Sequence, residues 1–158
     1  MTQAGEIIDA EWCTRMERPP LAVLKQTVSQ SVPNGTWGII AFDTEDVDTY
    51  GGHSISVNTS RYTCQYAGWY RVGGRAAFVA NATGSRGARV HVNANYIPGA
   101  ATLQGAGTLA GNPYTEHILY LNVGDYVEIA GGHNSGGALS TAVTFESASM
   151  MYVEWIHA

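Results

Sequence analysis

From Leu21 onward the apolar residues recur at every second position, in short runs broken by Gly, Asn and Pro, and no later stretch carries a convincing helical period. Val90, Val92, Ala94 and Tyr96 alternate with Arg89, His91, Asn93 and Asn95, which predicts one half-buried strand with His91 on its wet face. Tyr62, Cys64 and Tyr66 alternate with Arg61, Thr63 and Gln65 in the same way. Val127 and Ile129 do so against Tyr126 and Glu128, directly after a turn at Gly124-Asp125. Three further segments, 37–42, 118–123 and 150–156, are apolar on both faces. In an antiparallel protein such a strand needs cover on each side, one side from a second sheet and the other from a neighbouring subunit. With candidate strands near 21–29, 68–79 and 138–144 the count reaches eight to ten. That number suits an all-β, two-sheet antiparallel sandwich or jelly roll.

The first 20 residues read differently. Residues 1–18 carry Glu6, Asp9, Glu11, Arg15, Glu17 and Arg18, and they space Ile8, Trp12 and Met16 at i, i+4, i+8, the stripe of a short amphipathic helix that Pro19-Pro20 ends. An isolated helix of about 12 residues is marginal in water. This segment is therefore expected to be an attachment arm (1–20), ordered when its apolar stripe docks, ahead of a single domain (21–158). The whole chain has 158 residues but only 8 basic and 13 acidic ones. Size scaling gives a surface of roughly 7,700 Å², hence about one charge per ~370 Å², half the usual density. Small polar residues and an oligomer interface are the expected compensation.

Charge and motifs narrow the function by exclusion. A net charge of −5 with one lysine, Lys25, opposes nucleic-acid binding. No apolar run approaches 18 residues, so no membrane span is expected, and residues 1–18 lack the basic-then-apolar order of a secretory signal. Cys13 and Cys64 read as free thiols. Arg61, Arg71, Arg75, Arg86 and Arg89 fall in a stretch without acidic residues between Asp48 and Glu116, so they either pair with distant carboxylates or form a basic patch. The acidic group Asp43, Glu45, Asp46 and Asp48 misses EF-hand spacing and reads as a solvated loop, with mixed-ligand cation binding as the alternative. The five histidines show no zinc spacing, GxSxG and SxxK are absent, and the glycine-rich stretches at 84–87 and 105–107 lack a phosphate-loop lysine. No enzyme, metal or cofactor is expected. Trp69, Tyr70, Tyr96, Tyr114 and Tyr126 either fill core and interface or stack on a sugar or partner surface.

The run 62–72 (YTCQYAGWYRV), then 121–129 (LNVGDYVEI), then the apolar closing strand 149–156 resemble the C1q and tumour-necrosis-factor-like superfamily. The block 32–37 (VPNGTW), 40–45 (IAFDTE), Asp48-Thr49 and 51–54 (GGHS) resembles virion proteins of tailed bacteriophages of actinobacteria. The resemblance implies a ten-strand jelly roll in a tight homotrimer, with the apolar inner sheet at the threefold axis. It implies a non-enzymatic virion structural protein, made in the host cytoplasm and attached at the virion surface to the major capsid or tail protein. Ile8, Trp12 and Met16 are then the arm's anchors. Trp37, Ile39, Tyr120, Met151, Val153 and Trp155 are candidates for core or trimer interface. The alternative is a receptor- or glycan-binding module of the tail, reading a host-surface glycan through loops 43–53, 99–114 and 133–137.

Overall fold

The computed structural model describes residues 10–144 and 146–158. Helix α1 (Ala10–Glu17) ends ahead of Pro19-Pro20, because proline lacks the amide proton that another helical turn needs. Sheet I runs in the order β4 (Thr44–Asp48), β1 (Leu21–Lys25), β12 (Met150–His157), β6 (Gly68–Arg75), β9 (Tyr114–Leu121). Sheet II runs β3 (Trp37–Ile39), β10 (Tyr126–His133), β7 (Asn81–Val92), β8 (Asn95–Gly107), with β5 (Tyr62–Thr63) beside the start of β10. A small ladder joins β2 (Ser31–Val32) to β11 (Leu139–Ser140). All pairings are antiparallel, and the two five-stranded layers form a jelly roll.

Alternation fills the space between the layers. Sheet I contributes Ala22, Leu24, Tyr70, Val72, Leu121, Met151, Val153 and Trp155; sheet II contributes Ala88, Val90, Val127 and Ile129, with Ile40 and Phe42 following β3. The ends of the sandwich differ. The entry to β1, the exit of β12 and the turns at 93–94 and 122–125 share the arm end, while segments 26–30, 76–80, 107–113 and 134–138 share the far end.

Three expectations are corrected. The strand read over residues 89–96 is a hairpin: Val92 pairs with Asn95, and Asn93 and Ala94 both take left-handed φ angles, 50° and 65°. A two-residue turn with both φ positive follows the twist of the strands it joins. The Asn93 side chain fixes it, donating from Nδ2 to Asp125 Oδ1 (2.8 Å) and accepting from the Tyr126 amide (3.0 Å). Ala94 has no such support, and an L-residue in this region costs about 1 kcal/mol. Ala94→Gly is expected to raise the urea midpoint by an amount worth about 1 kcal/mol at unchanged slope. Second, residues 99–107, expected as part of a loop, are the second half of β8. Third, Glu128 (3% exposed) and His91 (6%) lie on no wet face, because Arg61, Tyr126, Arg89, Trp37 and Tyr96 roof the outer side of sheet II.

Arg86 is a further buried charge, 2% exposed. It pairs with His133 and shares the inward side of β7 with Ala88 and Val90. Between Asn81 and Ser85 the strand bulges away from β8, and the guanidinium closes that bulge: Nη1 donates to the Thr83 and Ser85 carbonyls and Nη2 to the Asn81 carbonyl, each at 2.9 Å. Gly111 makes room for its stem, since a Cβ there would come within 2.9 Å of Cγ. Arg86→Met keeps the volume but strands three carbonyls, and about 3 kcal/mol of stability is expected to be lost in urea unfolding.

Candidate functional site

Sheet II is roofed by its own side chains, whereas the outward face of sheet I carries large apolar groups that nothing in the described chain covers. On β9, β6 and β12 the cross-strand register sets four rows on this face. At the arm end Tyr120 and Trp69 meet His157; next come Ile118, Arg71 and Glu154; then Glu116, Gly73 and Tyr152; and at the far end Tyr114, Arg75 and Met150. Tyr120 packs edge-on against Trp69, ring centroids 5.8 Å apart, and the His157 ring lies 6.4 Å from Trp69. Trp69, Ile118 and Tyr120 are exposed and together make an apolar surface, and Ile156, in the bulge between Trp155 and His157, is exposed at its arm end.

A polar row crosses the same face. Gly73 has no side chain, so the Tyr152 ring lies across it; a Cβ at Gly73 would stand 2.6 Å from the Tyr152 hydroxyl. That hydroxyl donates to Glu116 Oε2, which also accepts from Tyr114 at 2.8 Å. The two hydrogen bonds, Tyr152 first, hold the Glu116 carboxyl below its usual range, and Arg71 adds to this from 3.9 Å. Burial, and then the Glu116 carboxylate, pushes the Tyr152 phenol up. Arg71 Nη1 also pairs with Glu154 Oε2 at 3.0 Å. Arg71 is thus shared between two carboxylates, Glu116 and Glu154, and these polar groups are held by partners within one chain.

The residues singled out in the sequence separate clearly. Met151, Val153 and Trp155 point into the core, and Tyr120 lies on the outward face of sheet I. Trp37 and Ile39 sit on the outward face of sheet II, opposite Gly132 and Ala130, half-buried and away from the open face. Their side chains cannot fill the core, because Ile40 and Phe42 already occupy it. Tyr70 is wholly buried, donating to the Tyr66 carbonyl at 2.6 Å; Tyr126 lies beneath Arg61 (4.0 Å), and Tyr96 flanks Arg89.

Ile8 lies outside the described residues. Trp12 is half-buried and Met16 is 54% exposed. The arm's exit is fastened to the body: the Tyr50 hydroxyl donates to the Arg18 carbonyl (2.8 Å), Thr49 Oγ1 to that of Pro19 (3.2 Å) and the Trp155 amide to that of Pro20 (2.9 Å). Cys13 is exposed and Cys64 is buried, each a free thiol. The acidic group is no open loop. Its residues form most of edge strand β4 or border it, and each carboxylate has a protein partner: Asp43 the Thr27 and Val28 amides, Glu45 His53, Asp46 Lys25, and Asp48 the His53 amide. Three of the five arginines of the acid-poor stretch pair with groups distant in sequence, Arg61 with Glu128, Arg71 with Glu154, and Arg75 with the Ala148 carbonyl, whereas Arg86 and Arg89 bond within their own strand.

Solved structures with this arrangement include the globular domain of zebrafish complement 1qA (TM-score 0.61, 13% identity, 87% of this chain and 96% of that one). Murine APRIL superposes at TM-score 0.62 with 10% identity over 85% of this chain and 98% of that one. Eiger TNF from S. frugiperda superposes at 0.60 with 12% identity over 88% and 95%. The fold is the C1q/TNF-like jelly roll. At these identities the likeness carries the fold of the jelly roll and nothing finer. No family model matches the sequence. An uncharacterized protein of Acanthamoeba polyphaga mimivirus is 28% identical over 144 residues, 85% of this chain and 61% of that protein, so the chain spans about three-fifths of the relative's length.

Proposed function

We propose that the chain is a non-enzymatic virion structural protein, a homotrimer of jelly rolls packed through the open face of sheet I and held to a capsid or tail protein at the particle surface by residues 1–20. The observation that carries this reading is the apolar face built by Trp69, Ile118, Tyr120 and Ile156, uncovered in a chain whose other sheet is roofed. Similarity to a viral protein supports a viral setting; the virion role within that setting is our reading of the resemblance that residues 32–54 bear to virion proteins of tailed phages. In a trimer closed on this face the three arms leave from one end, since each exit is pinned beside Trp155.

The decisive experiment is light scattering on the purified protein together with low-resolution imaging of labelled particles. A trimeric mass and density on capsid or tail support the reading; a monomer absent from particles refutes it. A second reading, recognition of a host-surface glycan, draws on the far end, where 107–113 and 133–137 gather, and on the arginine-aromatic cluster of sheet II. A glycan array on the trimer separates the two roles.

A further inference from the structure

On the outer face of sheet II, Arg89 is held between aromatic rings with no carboxylate partner among the described residues. Its guanidinium lies 4.2 Å over the Trp37 ring and 5.2 Å from that of Tyr96. Trp37 is itself immobile: the indole spans Gly87 and Gly132 on adjacent strands, where added Cβ atoms would come within 2.6 and 2.8 Å of it. Arg89 Nε donates to His91 Nε2 at 2.8 Å, which makes His91 the neutral tautomer with its proton on Nδ1. Burial, and next the charge of Arg89, keeps the His91 pKa below its usual value, so this acceptor persists at neutral pH.

The rest of the guanidinium is free to act. Among the described residues no carboxylate lies within ion-pair distance of Arg89, and Nη1 and Nη2 make no hydrogen bond; Glu128, nearby on β10, is engaged by Arg61 Nε (3.1 Å) and Ser60 Oγ (2.8 Å). The strand neighbours of Arg89 are Ala130 and Ala101, whose methyl groups leave the fork uncovered. Burial disfavours its charged form, a cost that an incoming anion offsets. Two parallel N–H donors, fixed by stacking, match a carboxylate in bidentate fashion. At the rim Tyr96 is 61% exposed and offers an aromatic face to the C–H side of a sugar ring.

We propose that Arg89, with Trp37 and Tyr96, forms a binding site for a carboxylate-bearing saccharide of the uronic-acid type. The inference rests on the glycan-recognition reading for its biological setting and is independent of assembly through sheet I. In calorimetric titrations of the full-length protein, D-glucuronate is expected to bind at least tenfold more tightly than either D-glucose or acetate. Arg89→Gln removes that preference. Arg89→Lys keeps the charge without the fork and loses most of it; Tyr96→Ala weakens glucuronate but not acetate.

Equal binding of glucuronate and glucose, absence of binding, or unchanged affinity in Arg89→Lys overturns the site. Acetate matching glucuronate, with Tyr96→Ala silent, overturns the saccharide and leaves a bare anion contact. The circular dichroism spectrum of each variant confirms the fold, and light scattering reads assembly separately: binding by a monomer overturns the trimer alone, and a trimer that binds nothing overturns this site alone.

Discussion

Ile118→Asp is expected to elute as a folded monomer under conditions where the parent chain is a trimer. Ile118 sits in the middle of the open face of sheet I, opposite Arg71 and one row from the Trp69–Tyr120 pair. In the isolated chain the side chain is exposed, so an aspartate there meets water and the jelly roll itself is unaffected. Once copies close on this face the carboxylate loses its hydration in every protomer. An effective penalty of about 4 kcal/mol per buried charge corresponds to a roughly 1,000-fold loss of affinity. Sedimentation velocity across a concentration series measures the change, with the far-ultraviolet circular dichroism spectrum unchanged. A trimer of undiminished affinity places the interface elsewhere. Ile118→Leu, with its apolar volume kept, is expected to remain trimeric.

Deleting residues 1–18 is expected to leave a folded trimer that no longer decorates particles. The cut falls ahead of Pro20, whose carbonyl accepts from Trp155, so it spares β1 and the core. It removes Trp12 and Met16, and with them the apolar stripe. Each arm alone is a short helix with few anchors, and its individual affinity is expected to be weak. Three arms on one trimer raise the overall binding by about 10²- to 10⁴-fold through effective concentration, provided that their sites are spaced to match. The dependence is therefore steep, and trimers mixed from intact and truncated chains are expected to decorate in proportion to how many carry two or three arms. Pelleting with purified particles reads the result; normal decoration by the truncated trimer refutes the arm as the attachment element.

What was legible in the sequence follows the reach of each signal. Period-two alternation is local, so the all-β class could be read from the chain, and Met151, Val153 and Trp155 fell on one face of their strand; which face turns inward depends on the second sheet, and alternation does not report it. The hairpin at 93–94 was not legible because Asn-Ala lacks the glycine that usually marks two left-handed residues in succession. The burial of Glu128 and His91 was hidden for a different reason. Their cover comes from Arg61, Trp37 and Tyr96, on other strands, and alternation cannot report what lies above a face. Trp37 was misplaced on the same account: its seat consists of Gly87 and Gly132, distant in sequence and noticeable only as missing side chains. The open face of sheet I was half visible. Segments 118–123 and 150–156 read as apolar on both sides, but the row from Tyr152 over Gly73 to Glu116 needs the strand register, which no spacing supplies.

Strand β4 bears on how large an assembly can grow. It is an edge of sheet I, with backbone groups open to pairing, and it carries Glu45, Asp46 and Asp48. A second copy adding there in antiparallel fashion brings like charges together, which disfavours growth along the sheet direction. Copies are left to meet through faces, and contacts around a threefold axis use up their own surfaces. An oligomer built on these faces is thus finite, because a closed ring leaves no repeating contact by which further copies could add.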